Sequence, residues 1–188
     1  MSNTKRVFVG IDLSRKLTAV IPLLRTTVIG PGEDVRWISG RNLHLTLSFL
    51  GNISEQEIIL LSTHLKEVQQ LPKFTITVDG TGTFPDVGAP KILWMGVDKG
   101  HDELADLQSI VDEISVPYKE KKQEEHFVPH ITIGRIKHKK NHSNFDVSAF
   151  MNTVYSPIEI SINTVSLYES NLRPEGPRYT ILSSFLLR

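Results

Sequence analysis

Cysteine is absent from the 188 residues, and its absence excludes disulfides, thiolate zinc sites, iron–sulfur clusters and a cysteine nucleophile. A surplus of charge is absent as well, because 21 basic residues balance 21 acidic ones. That balance disfavours a general nucleic-acid coat protein and leaves open a local basic site for one phosphate. Long hydrophobic runs are missing too, since stretches such as residues 58–61 fall far short of the roughly 20 residues of a membrane span. Asp12 interrupts the first apolar run, so we expect no signal peptide, no membrane span and a cytoplasmic location.

The residues that are present describe an ordinary globular chain. With 39% hydrophobic and 22% charged residues, the composition argues against long disorder. No linker divides the sequence, and we expect one domain over residues 1–188. Strand-like segments at residues 6–13, 43–50, 74–78, 92–97, 128–136, 158–168 and 178–187 alternate with a few helices. This pattern predicts an α+β fold with largely antiparallel pairing.

Three helices are predicted between these strands. The first, at residues 15–28, contains Pro22, which we expect to kink or shorten it. The second begins at Ser54 and Glu57, which form a capping-box pair. The third follows residue 100 and presents one apolar stripe to the core. Residues 80–90, rich in glycine and proline, are predicted to connect two strands.

Histidine carries the chemical signal. Two of the seven histidines open the same pattern, His44-Leu45-Thr46-Leu47 and His130-Ile131-Thr132-Ile133. On a strand, side chains two residues apart project from the same face. Each copy therefore presents an imidazole and a hydroxyl to one side, while Leu45, Leu47 and Phe49, and likewise Ile131 and Ile133, are predicted to face the core.

Two such pairs facing each other across a cleft suit a phosphodiester. One neutral imidazole activates a nucleophile, one imidazolium protonates the leaving oxygen, and the hydroxyls donate to the non-bridging oxygens. Because the motifs are chemically equivalent, the residues leave open which histidine is the acid. A single motif of this kind is usually an ordinary surface pair. A zinc site is the other alternative, because His126 and His130 are four residues apart, as are His138 and His142, but Pro129 and the lack of nearby carboxylates disfavour it.

The longer segments around both motifs, NLHLTLSFLG at residues 42–51 and FVPHITIGR at residues 127–135, resemble the 2H phosphoesterase superfamily. The chain resembles its RNA 2′,3′-cyclic phosphodiesterases, once called 2′-5′ RNA ligases. Supporting matches are RVFVGIDL at residues 6–13, GTFP at residues 82–85 followed by Leu93-Trp94, and LYESNLRPEGPRYTIL at residues 167–182.

The resemblance implies a two-lobed α+β domain with pseudo-twofold symmetry, in which antiparallel sheets flanked by helices enclose a central active-site cleft. It implies an enzyme that needs no metal or other cofactor and opens a 2′,3′-cyclic phosphate at an RNA end to leave a 2′-phosphate. By the same resemblance, His44 is the proton donor to the leaving 3′ oxygen and His130 is the base that activates water. Thr46 and Thr132 carry over as phosphate contacts.

Arg135, five residues after the second histidine, is a further candidate for phosphate contact. Its parity opposes this role unless the strand ends or bulges at Gly134. Phe8 and Phe127 are candidate stacking surfaces for a base, with core packing favoured for Phe8. The basic run Lys137, Lys139 and Lys140 either steers RNA or is simply a solvated loop.

Three alternatives to hydrolysis at an RNA end stay open. In the first, the substrate is a small cyclic phosphate or nucleotide. In the second, the chain is a non-catalytic RNA-binding module. In the third, the enzyme also joins RNA ends through a 2′-5′ bond. The expected partners are RNA 3′ ends or nucleotides bearing a 2′,3′-cyclic phosphate, and we expect a monomer.

Overall fold

A computed structural model describes residues 4–86, 89–120, 127–137, 145–173 and 176–188, and contains one nine-stranded, mostly antiparallel sheet. The strands are β1 (Thr4–Asp12), β2 (Val35–Trp37), β3 (His44–Ser54), β4 (Phe74–Phe84), β5 (Ile92–Lys99), β6 (His130–Ile136), β7 (Ile158–Ile162), β8 (Thr164–Arg173) and β9 (Gly176–Leu186). The helices are α1 (Ser14–Leu17), α2 (Ile21–Thr26), α3 (Glu55–His64), α4 (His101–Ser115) and α5 (Ser148–Met151). None of the helices in the described ranges is long and apolar enough to cross a membrane.

The sheet divides into two halves on either side of the contact between β6 and β3. Its strands follow the order β7-β4-β5-β6-β3-β1-β8-β9, with β2 added beside β6. We call β3-β1-β8-β9 the first lobe and β6-β5-β4-β7, with β2, the second lobe. Each lobe places its motif strand innermost, and the two motif strands meet at the centre. The α+β, two-lobed architecture predicted from the family resemblance is therefore confirmed.

The motif strands of the two lobes pair with each other where Leu45 of β3 lies opposite Ile131 of β6. Both side chains are fully buried. Burial of a leucine or isoleucine side chain stabilises the folded state by about 1.5–3 kcal/mol. This pair therefore holds the two motif strands together at the centre of the sheet. Helix α4 packs behind it and is held by Gln108, whose Nε2 donates to the Leu47 carbonyl over 3.3 Å.

The capping box is confirmed: Ser54 Oγ accepts from the Glu57 amide, and the Glu57 carboxylate accepts from the Ser54 amide. One helix prediction needs correction. The first helix divides into α1 and α2, because Pro22 lies in the first turn of α2. In the third predicted helix, Leu104, Leu107 and Val111 of the apolar stripe are buried as expected, and Ile114, the fourth residue of that stripe, is partly buried.

Several strand limits were predicted wrongly. Strand β3 continues through Gly51, which has a φ of +88°, instead of ending there. Strand β4 crosses Gly80 and reaches Phe84, so half of the predicted connection at residues 80–90 is strand. Residues 158–168 form parts of two strands, β7 and β8, that turn at residue 163. Strand β2 was not predicted, because three residues carry no periodicity that a sequence can reveal.

Candidate active site

The two motifs converge at the centre of the sheet. Because Leu45 and Ile131 are opposite each other in an antiparallel pair, the residues that flank them face the partner motif, His44 towards Thr132 and Thr46 towards His130. All four of these side chains line one cleft of about 540 Å³ between the lobes. The predicted convergence of motifs 86 residues apart is thus found in the fold.

A β-bulge follows the threonine in each motif strand. Pairing of β1 with β3 skips Leu47, and pairing of β5 with β6 skips Ile133. A bulge adds one residue and reverses the side-chain alternation beyond it. As a result, residues 49 and 135 return to the face that carries the histidines.

Both bulges change a sequence prediction. Phe49 was predicted to face the core, but it is 44% exposed and lines the cleft, so that prediction is wrong. Arg135 needed a bulge at Gly134 to reach the site; the bulge lies one residue earlier, at Ile133, and Arg135 lines the cleft. Each bulge depends on the register in which the partner strand pairs with the motif strand. The sequence of the motif strand alone does not reveal that register.

The histidines are held in the same way. Nδ1 of His44 lies 2.6 Å from the carbonyl oxygen of Asn42, and Nδ1 of His130 lies 2.8 Å from that of Val128. Since a carbonyl only accepts hydrogen bonds, each Nδ1 carries the proton and donates it. The nitrogen that titrates is therefore Nε2 in both residues.

Aromatic rings surround both imidazoles. The His44 ring lies 4.8 Å from Phe8 and 4.9 Å, edge-on, from Tyr179. The His130 ring meets Phe84 edge-on at 5.0 Å, with Trp94 at 6.4 Å. These contacts fix ring orientation and remove water from one side of each imidazole.

The surroundings lower the pKa of both histidines. Burial is the largest cause in each case, and the Arg135 charge acts in the same direction. The charge of His130 also lowers the pKa of His44, whereas the Asn42 carbonyl and Asp12 raise it. Both imidazoles of the free site are therefore less basic than an ordinary histidine, and they lie beside the fixed cation of Arg135 in one cleft.

Both the sequence and the fold are similar to those of known proteins. Residues 30–173 match the family described as the 2′-5′ RNA ligase superfamily. The chain belongs to that superfamily. Proteins named RNA 2′,3′-cyclic phosphodiesterase are similar to it: the one from Thermotoga maritima is 32% identical over 94% of this chain and 92% of its own length, and the one from Aquifex aeolicus is 33% identical over 97% of each. The crystal structure of E. coli LigT complexed with 3′-AMP is similar at a TM-score of 0.77 and 25% identity, covering 98% of this chain and 99% of that one.

The family prediction made from the two motifs is confirmed by these matches. Within this member of the superfamily, Phe8 is buried and stacks on Tyr168 at 4.9 Å, so core packing is its role and it offers no face to a base. Phe127 is half-buried and lines a smaller cavity of about 150 Å³ that adjoins the cleft. Its role in stacking stays a prediction.

Most of the basic run, and most of the histidines that suggested a zinc site, lie outside the residues that the structure describes. Of the basic run, Lys139 and Lys140 fall there, while Lys137 is exposed. His126, His138 and His142, which suggested the zinc alternative, also fall there. Within the described ranges, no group of three histidine, aspartate or glutamate side chains is placed to hold a metal ion.

The cleft of this superfamily member also contains residues that the sequence did not single out as site residues. Phe84 and Tyr179 belong to segments quoted for the family resemblance, and that resemblance was the only signal available for them. Burial raises the pKa of Tyr179, so its phenol stays protonated and able to donate. The remaining lining is apolar and comprises Ile38, Ile92 and Val128.

Proposed function

We propose that the protein hydrolyses the 2′,3′-cyclic phosphate at RNA ends to a 2′-phosphate, without a metal ion, by a two-histidine mechanism. The observation that carries this proposal is the convergence of both His-x-Thr pairs on one cleft, each with its Nε2 left for proton transfer. The names of the relatives from Thermotoga maritima and Aquifex aeolicus support the same substrate class.

The step needs one base and one acid. Neutral His130 accepts a proton at Nε2 from water while the water oxygen bonds to phosphorus. The bond between phosphorus and O3′ breaks, and O3′ takes the proton carried by Nε2 of His44. The bond to O2′ remains, so the product is a 2′-phosphate with a free 3′-hydroxyl. His130 ends protonated and His44 neutral, and exchange with solvent restores both.

Charge develops on the non-bridging oxygens during this step. The hydroxyls of Thr46 and Thr132 are proposed to donate to these oxygens, and the Arg135 guanidinium to offset their charge. Such preformed donors supply the stabilisation that a metal would otherwise give. An RNA hydroxyl in place of water would form a 2′-5′ bond by the same route.

Hydrolysis is tested with an oligonucleotide that ends in a 2′,3′-cyclic phosphate, assayed beside a cyclic mononucleotide in excess chelator. We expect turnover of the oligonucleotide and a product with only a 2′-phosphate. A 3′-phosphate product, or activity that disappears in chelator and returns with one metal ion, contradicts the proposal. Binding without turnover under all conditions would favour the non-catalytic alternative.

The assignment of acid and base follows the family resemblance, because Asp12 and His130 change the pKa of His44 in opposite directions. It is tested with a cyclic substrate in which sulfur replaces the bridging 3′ oxygen, since a thiolate leaves without protonation. We expect this substrate to restore much of the activity of His44→Ala and none of that of His130→Ala. The reverse pattern would exchange the two roles.

A further inference from the structure

The two motif histidines differ in the residue that lies across the sheet from each of them. In the pair of β1 and β3, Asp12 lies opposite His44, whereas in the pair of β5 and β6, Gly96 lies opposite His130. Cross-strand partners project from the same face of a sheet. A carboxylate therefore accompanies the imidazole of the first motif, and the equivalent position beside the second motif has no side chain.

Asp12 and His44 form the closer type of antiparallel pair. The amide of Leu13 donates to the carbonyl of Leu43 over 3.0 Å, so the neighbouring pair is the hydrogen-bonded one. Asp12 and His44 consequently form a non-hydrogen-bonded pair, in which the Cβ atoms are about 4.5–5.5 Å apart. The carboxylate is fixed at this position, because its Oδ1 accepts from the Ser14 amide over 2.8 Å.

Asp12 acts on His44 through its charge, since Nδ1 of His44 already donates to the Asn42 carbonyl. The charged and titratable groups that face His44 come from four strands: Asp12 on β1, Arg135 and His130 on β6, Tyr168 on β8 and Tyr179 on β9. Burial raises the pKa of both tyrosines, which therefore stay neutral. Of these five residues, Asp12 alone carries a negative charge, and that charge raises the pKa of His44.

The other influences do not favour His44 as the carrier of the proton. Repulsion between two imidazolium ions is reciprocal, so it limits the site to one proton without choosing the histidine that holds it. Arg135 lowers the pKa of both histidines, and a backbone carbonyl raises the pKa of each. Burial, the largest cause at both, opposes a charge on His44. The Asp12 carboxylate offsets part of that cost, and His130 has no equivalent of it.

We propose that Asp12 is a positioning residue for the catalytic proton: its carboxylate, across the sheet from His44, favours the singly protonated enzyme in which His44 is the acid and His130 the base. This inference rests on the proposed function and names a residue that gives two equivalent motifs unequal roles. Asp12 forms and breaks no bond in the reaction, and the proton still passes from Nε2 of His44 to the leaving oxygen.

The test is the pH dependence of kcat/KM for Asp12→Asn, measured at low salt on an oligonucleotide with a 2′,3′-cyclic end. Asparagine keeps the oxygen that accepts from Ser14 and removes only the charge. Above both histidine pKa values, the rate depends on the affinity of His44 for its proton, so kcat/KM should fall there by about threefold, the effect of one solvent-exposed charge at the distance of a cross-strand pair. Below both values, the rate depends on the loss of a proton from His130, so kcat/KM should equal that of the wild type.

Three further measurements separate the charge of Asp12 from a structural role. On the substrate with sulfur in place of the bridging 3′ oxygen, which needs no acid, Asp12→Asn should match the wild type at every pH. Salt at about 1 M, where the screening length is about 3 Å, should remove most of the difference on the oxygen substrate. Asp12→Glu restores the charge and should recover most of the alkaline activity.

Asp146→Asn is the matched control. Asp146 Oδ1 accepts from the Ser148 amide over 2.8 Å in the same way, but the residue lies across from Ile29 instead of a histidine. Its pH profile should equal that of the wild type. For Asp12→Asn, an equal fall on both sides of the profile, a fall confined to the acidic side, an unchanged alkaline side or a matching fall on the sulfur substrate overturns the role of Asp12 and leaves the proposed function standing. Absence of turnover by the wild type at every pH overturns the proposed function itself.

Discussion

Strands β3 and β6 each carry a histidine whose Nδ1 donates to the carbonyl two residues earlier, a threonine two residues later and a bulge directly after that threonine. The difference lies beyond the bulge. In the first lobe the residue that returns to the cleft is Phe49, and in the second lobe it is Arg135. The same backbone arrangement in both lobes thus places an apolar side chain on one side of the cleft and a positive charge on the other.

The residue before each of these also differs. Ser48 is buried and donates from Oγ to Asp112 of α4 over 2.9 Å. At Gly134 a Cβ would stand 3.1 Å from the Trp37 ring, so glycine gives β2 room to pack there. The second lobe therefore accommodates an extra strand, and that strand brings Arg36. Two equal motifs are thus flanked by unequal side chains, which makes the two sides of the cleft chemically different.

The largest expected effect comes from the feature that the lobes share. His44→Ala and His130→Ala should each lower kcat by 10²–10⁴-fold, since each removes a proton-transfer partner. The double variant should lose much less than the product of the two, because the groups act as one unit. Single-turnover rates on a cyclic-phosphate oligonucleotide measure this. Activity of both single variants within a few-fold of the wild type would contradict the two-histidine mechanism.

Next in size are the threonines. Thr46→Val and Thr132→Val keep the strand shape and remove one donor, so each should lower kcat by about 10²-fold with an unchanged melting temperature. Thr→Ser at either position restores a hydroxyl and is the control. If one valine variant is fully active, the two lobes do not share the phosphate oxygens, and the symmetry ends at the histidines.

The two residues that differ between the lobes, Arg135 and Phe49, should affect different kinetic constants. Arg135→Gln should act mainly on kcat, because developing charge is greatest in the transition state. Phe49→Ala should act mainly on KM, by about tenfold, because a contact of its exposed ring with the substrate, such as stacking on a base, would already be made in the ground state. Steady-state kinetics with matched substrates measure both. Equal effects on kcat and KM in the two variants would show that both residues only shape the cleft.

The smallest expected effect is on stability. Burial lowers the folded-state pKa of His44 and His130, so below the ordinary histidine pKa the unfolded chain binds more protons than the folded one. The free energy of unfolding should therefore be highest at neutral pH and fall as pH decreases through the histidine range. Glu57 and Asp146 have lowered pKa values and lose their contributions only at still lower pH.

Denaturant unfolding between neutral pH and about pH 5 measures this slope. The double variant His44→Gln/His130→Gln should show a shallower slope than the wild type. A double variant with the wild-type slope would mean that neither histidine is desolvated enough to titrate differently on folding.

The sequence by itself determined those features that depend only on interactions between residues close together in the chain. Same-face projection of His44 with Thr46 and of His130 with Thr132 follows from strand geometry alone. The capping box at Ser54 and the buried stripe of α4 likewise depend on residues within two helical turns. These predictions hold because nothing distant is needed to satisfy them.

Only the tertiary structure decided how those parts meet. The pair Leu45 and Ile131, which brings the motifs together, joins strands far apart in the sequence. The bulges at Leu47 and Ile133, which turn Phe49 and Arg135 into the cleft, depend on how β1 and β5 pair with the motif strands. Strand β2 exists because β6 offers it an edge, and its short length leaves no periodic signal. The alternation of side chains follows from the geometry of a single strand, but a bulge reverses it, and a bulge depends on how two strands pair. For this reason only the fold could place Arg135 and Phe49 in the cleft.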